Sequence, residues 1–116
     1  MLAISTSSGT TTISVIGNLD ATVRDQLAEV TSRMSTLGEH VLVLDLCRLD
    51  FMDSTGAAFV ATIAESTRRN GGVAVLRGAG EDAAFVLEIC GVLGQLRVDD
   101  DHRCPDAVAQ SPGLTG

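Results

Sequence analysis

The stretch Asp50-Phe51-Met52-Asp53-Ser54-Thr55-Gly56-Ala57-Ala58 follows the apolar run Val41-Leu42-Val43-Leu44-Asp45-Leu46-Cys47 and leads into small residues up to Ala64. A strand, a short turn and a helix fit that order. Asp53-Ser54-Thr55-Gly56 then occupies the turn and the first helical residues. Asp, Ser and Thr suit a helix start because their side-chain oxygens accept from the free N–H groups of the first turn. The same N–H groups and the helix dipole favour an anion. A hydroxyl at that place is therefore well sited to carry a phosphate. Local chemistry alone favours the plain alternative, a βα turn that uses these residues only to cap and turn the chain. An aspartic-protease triplet is excluded: a second hydroxyl residue interrupts the Asp-hydroxyl-Gly order, and a single copy cannot supply the two carboxylates that share a proton.

Working outward, the helix after this turn runs from about 54 to 70. Phe59, Val60, Ile63, Ala64 and Thr67 form its inner face, and Arg68, Arg69 and Asn70 close it at the negative end of the dipole. Upstream, residues 2–7 and Thr11–Leu19 read as two strands joined at Ser8-Gly9-Thr10, an antiparallel hairpin, with Ile13, Val15 and Gly17 facing one way. Asp20 is an N-cap for a helix over about 21–37. There Val23, Leu27, Val30, Met34 and Leu37 recur at helical spacing, Arg24, Asp25, Glu29 and Arg33 face water, and Gly38 stops the helix. Val41–Leu46 is apolar enough to be buried on both faces, as in a parallel sheet.

Downstream, Gly71-Gly72 is a turn and Val73–Leu76 a central strand. The loop Gly78-Ala79-Gly80 is not a phosphate-binding loop, since no Gly-Lys-Ser/Thr follows. A third helix covers about 81–91, with Val86, Ile89, Cys90 and Leu93 as its buried stripe, and Leu96-Arg97-Val98 is a last strand. The order β-β-α-β-α-β-α-β defines an α/β fold with right-handed crossovers. Asp99-Asp100-Asp101 opens a polar tail in which 106–110 has length for one helical turn, and Ser111-Pro112-Gly113 marks a flexible end.

Composition narrows the function. The 116 residues suit one domain, and with 45% hydrophobic but only 3% aromatic residues the core is aliphatic. No aromatic platform exists for stacking bases. Eight Arg against 15 acidic residues give −7, a charge that repels nucleic acid and anionic membranes and suits a basic protein partner. No apolar run is long enough for a membrane span, and the start Met1-Leu2-Ala3-Ile4-Ser5 lacks signal-peptide character, so a cytoplasmic location is expected. Cys47, Cys90 and Cys104 lack metal-type spacing. Cys47 and Cys90 read as small core residues, Cys104 as exposed near the tail, and a cytosolic setting argues against a regulatory disulfide. His40 and His102 read as surface residues, and no metal site is expected.

Gly17-Asn18-Leu19-Asp20, Leu44-Asp45-Leu46, Phe51-Met52-Asp53-Ser54-Thr55-Gly56 and Gly71-Gly72 together resemble the STAS domain, and more closely the bacterial anti-sigma factor antagonists. The resemblance covers about 1–101, a single STAS-like domain with a mixed sheet and packed helices, and leaves 102–116 as a short flexible tail. It implies a partner-switching protein rather than an enzyme. In that family the unmodified antagonist binds an anti-sigma factor, which releases its sigma factor. The anti-sigma factor is also a serine kinase, and a serine phosphatase reverses its action; ATP and Mg²⁺ belong to the kinase, so this chain needs no cofactor. By the motif, Ser54 is the phosphoacceptor and Thr55 the second choice. Asp20, Asp53, Ser54, Thr55 and Gly56 form the partner-binding set, with Gly56 keeping the helix start uncrowded. Asn18 departs from an acidic residue common in the family, and Ala57 and Ala58 from bulkier residues or glycine. The usual last helix is cut short, which leaves Cys104 free as a candidate redox residue. The alternatives are a STAS subunit of another regulatory or transport assembly, and a small hydrolase using Ser54, for which the sequence places no base nearby.

Overall fold

The computed structural model describes residues 2–21, 24–34, 41–99 and Cys104. Its spine is a twelve-residue strand, β3 (Val41–Met52), in the middle of a five-stranded sheet of order β1-β2-β3-β4-β5. β1 (Leu2–Ser7) and β2 (Thr10–Leu19) form an antiparallel hairpin closed by Ser8 and Gly9, whose φ values of 51° and 81° are the pair of positive angles that a tight two-residue hairpin turn uses. β2, β3, β4 (Val73–Arg77) and β5 (Arg97–Asp99) run parallel. The helices α1 (Arg24–Met34), α2 (Ser54–Arg69) and α3 (Glu81–Ile89) make the three crossovers, and a 3-10 turn, Leu93–Gln95, precedes β5.

Each crossover steps one strand in the same direction, and each is of the type that is right-handed. That combination sets all three helices on one face of the sheet. The register lines up Ile4, Ile13, Leu44, Leu76 and Val98 in one row across five strands, pointing at the helices. Ile13, Leu44 and Leu76 are sealed in the core with Val60, Ile63 and Ala64 of α2, which packs on β3 and β4. Phe59, Val60, Ile63, Ala64 and Thr67 are all buried, so the spacing read from sequence gives the correct face of α2. Thr67 hides its hydroxyl by donating to the Ile63 carbonyl at 2.8 Å.

Three sequence readings need correction. First, β3 does not end near Leu46; it continues to Met52, leaving Asp53 alone between strand and helix. Two register shifts against β2 explain why alternation hides this: one falls between Ser14 and Ile16, the other between Gly17 and Asn18. Bulges insert extra residues, so the inward side chains Leu46, Leu49 and Met52 recur every three positions instead of every two. The Asp45 carboxylate accepts from the Cys47 N–H at 3.0 Å within the first shift, which accounts for a charged residue in an apolar strand. Second, β3 is not uniformly buried: Leu42, Val43, Leu44 and Leu46 are, whereas Val41 is exposed and Asp45 half-buried. Third, α3 turns a different face inward. Ala83 and Leu87 are buried, Val86 is partly buried, and Ile89 and Cys90 are exposed. Residues 83–87 are apolar all round the helix, so periodicity cannot choose its rotation.

On α1, Val30 is buried and Asp25 and Glu29 are exposed. The expected ends of α1, the short turn at 106–110, the flexible tail apart from Cys104, and both histidines lie outside the described residues.

Candidate functional site

The chain leaves β3 at Met52 and enters α2 at Ser54, so a single extended residue, Asp53, directs the turn. Its Oδ1 accepts from the Thr55 N–H at 2.9 Å and the Gly56 N–H at 3.1 Å, and its carbonyl accepts the first helical bond from Ala57 at 3.0 Å. Two of the free first-turn donors are thereby satisfied by a charge already present. The anion-cradling role read from sequence for this helix start is therefore filled by Asp53 itself, and a group on Ser54 would sit beside that carboxylate.

Ser54 is the first residue of α2 and is exposed; Thr55 is half-buried; Gly56 is buried. The glycine is required by close approach. A Cβ there would run into the Leu19 carbonyl and come within 2.9 Å of the Met52 side chain. The Asp53 N–H donates to that same Leu19 carbonyl at 3.4 Å. Leu19 pairs with Met52 across the sheet, so Asp20 and Asp53, each next in the chain, leave the paired strand ends side by side. Of the predicted partner-binding set, the structure thus gathers Asp20, Asp53, Ser54, Thr55 and Gly56 at one end of the sheet. Asp20 is half-buried and makes an interaction of its own.

Two features of the site carried no sequence signal strong enough to find them. The first is a groove of about 560 Å³ between the end of β3 and α3, whose lining runs from buried Leu46, Met52 and Ala83 to exposed Phe51 and Phe85. Phe51 stood in the quoted motif, but nothing in its spacing showed that it faces out. The second is a disulfide between Cys47 and Cys104, 57 residues apart, with Cα atoms 5.4 Å apart. Cys47 is accordingly not an inert core thiol, Cys104 is not free, and the unpaired Cys90 lies exposed at the C-terminal cap of α3 rather than in the core. Gly78, at φ +75°, makes room for the bond: a Cβ there would strike the Cys47 sulfur and come within 2.8 Å of the Cys104 sulfur. Among the described residues, no group of three His, Cys, Asp or Glu side chains could hold a metal ion, and no helix is long and apolar enough to cross a membrane.

The family model of the STAS domain matches residues 1–103, so the chain belongs to the STAS domain family. No curated protein matches the chain significantly in sequence. Among solved structures, the anti-sigma factor antagonist SpoIIAA in its unphosphorylated form is similar at 18% identity and a TM-score of 0.72, over 87% of this chain and 90% of its own. Its phosphorylated form, from Bacillus, is similar at 17% identity and a TM-score of 0.61, over 87% and 93%. A serine-to-glutamate variant of RsbS from Moorella thermoacetica is similar at 18% identity and a TM-score of 0.73, over 89% of each chain. The murine anion transporter Slc26a9 contains a similar domain at 18% identity and a TM-score of 0.63, over 78% of this chain but 16% of the transporter. These likenesses establish a fold that serves both free-standing antagonists and domains of transporters.

Proposed function

We propose that this chain is an anti-sigma factor antagonist that acts by binding rather than catalysis. Unphosphorylated, it engages an anti-sigma factor with serine kinase activity through Asp20 and the Asp53–Gly56 corner, and the sigma factor is released. Phosphorylation at Ser54 ends the interaction, a serine phosphatase restores it, and the whole cycle runs in the cytoplasm.

The observation that carries this reading is the exposed Ser54 at the start of α2, with the Asp53 carboxylate already seated on the next two N–H groups. A kinase can reach that hydroxyl without unfolding the domain. The phosphate adds about −1.5 to −2 charges. In free solution water screens that charge. In a docked interface it must be desolvated beside Asp53, so the complex weakens while the fold persists.

The test is intact-mass and phosphopeptide analysis after incubation with ATP, Mg²⁺ and the host's candidate anti-sigma kinases, with Ser54→Ala alongside. One phosphoryl group on the wild type, absent from the variant, is expected. A phosphoryl group that remains on Ser54→Ala moves the acceptor to Thr55 or elsewhere. Neither transfer nor binding by any candidate kinase favours the second reading, a STAS subunit of a larger assembly, which the transporter domain of the same fold supports.

A further inference from the structure

The groove beside the switch corner combines two properties that a monomer does not need. Phe51 and Phe85, two of the chain's three phenylalanines, are 53% and 61% exposed there, although the third, Phe59, is buried. Large apolar side chains held in water next to a preformed concavity are the usual mark of a protein-binding surface. The charged residues lining the groove are Asp50, Glu81 and Asp82, all exposed and all acidic. A small ligand with negative charge is thereby disfavoured, and so is a second copy of this chain, which carries −7 overall.

We infer that the groove between the end of β3 and α3 is a docking surface for a basic amphipathic segment of the anti-sigma kinase, separate from the corner that presents Ser54. The inference rests on the antagonist reading for the identity of its occupant. The segment's apolar side chains fill the space between Phe51 and Phe85, while its Arg or Lys residues face Asp50, Glu81 and Asp82. The two surfaces are continuous: Met52 lines the groove, and Ser54 follows two residues later. Occupation of the groove holds the kinase against its substrate hydroxyl, so affinity draws on the groove as well as on the corner, whereas phosphotransfer draws on the corner alone.

The experiment is a binding titration of the full chain with the host's anti-sigma kinases, without ATP, at two salt concentrations. Phe51→Ala/Phe85→Ala is expected to bind roughly thirtyfold more weakly or worse, as when aromatic anchors are removed from an interface. Both side chains are more than half exposed, so an unchanged melting curve is expected to show that the fold is intact. Glu81→Gln/Asp82→Asn is expected to weaken binding less and to flatten its salt dependence. Wild-type affinity in the phenylalanine variant overturns the groove and leaves the Ser54 reading standing. Unaltered salt dependence in the charge variant overturns the basic character of the occupant. If no kinase binds or phosphorylates the wild type, both the groove's occupant and the antagonist reading fall together.

Discussion

Helices α2 and α3 sit side by side on the same sheet face, yet they are built to different specifications. α2 has sixteen residues, eight of them buried, and an N-terminus capped by a side chain. α3 has nine residues, two of them buried, and Gly80 at its start offers no side-chain cap; Glu81 and Asp82 in its first turn complement the dipole instead. α2 has the anchorage of a structural pillar, and Ser54 stands at its top. α3 carries its large apolar side chains Phe85 and Ile89 outward, at 61% and 66% exposure, which is wasteful for stability and useful for contact. The proposed switch calls for one element that does not move when charge is added and another that has apolar surface to offer.

The contrast can be broken first at Ile63, which is fully buried on α2. Ile63→Ala is expected to cost about 2–5 kcal/mol, read as a lowered urea midpoint with little change in slope. A loss below about 1 kcal/mol would mean that α2 is not the pillar described. Gly56→Ala comes next, at about 1–3 kcal/mol, because the added methyl has to displace the Leu19 peptide or tilt the helix. An unchanged melting temperature would show that the corner is slack. Asp53→Ala removes the cap and is expected to cost about 1 kcal/mol, with most of it regained in Asp53→Asn, whose amide oxygen still accepts from Thr55 and Gly56. On α3, Ile89→Ala is expected to stay within about 0.5 kcal/mol of wild type. Equal losses at Ile89 and Ile63 would erase the distinction between the helices.

Much of this was legible in the sequence. Element order, the hairpin, the extent and face of α2, and the family itself follow from turn residues, helical spacing and the Asp-Ser-Thr-Gly corner. What was not legible has physical causes. The last third of β3 looked like a turn because two register shifts broke the period of two and because Arg48 and Asp50 interrupt its apolar residues. The rotation of α3 was undetermined because apolar residues surround it, and packing of Ala83 and Leu87 against the core decided it. Within the corner, Asp53 was read both as a suitable helix cap and, by resemblance, as a partner contact; its bonds to Thr55 and Gly56 bear out the cap. The Cys47–Cys104 pairing joins residues too far apart for any local pattern to report.

That bond has a topological consequence. It closes residues 47–104 into a covalent ring, and Ser54, α2, β4, α3 and β5 all lie inside it, whereas β1, β2 and α1 hang outside as a tail. A protease that nicks the chain after Arg68 or Arg69 opens the ring without dividing the molecule. The cut protein runs as one piece on a non-reducing gel and as two after a thiol is added. As long as the sulfurs stay joined, the Ser54 end of α2 and its far end belong to the same molecule even when the backbone between them is severed.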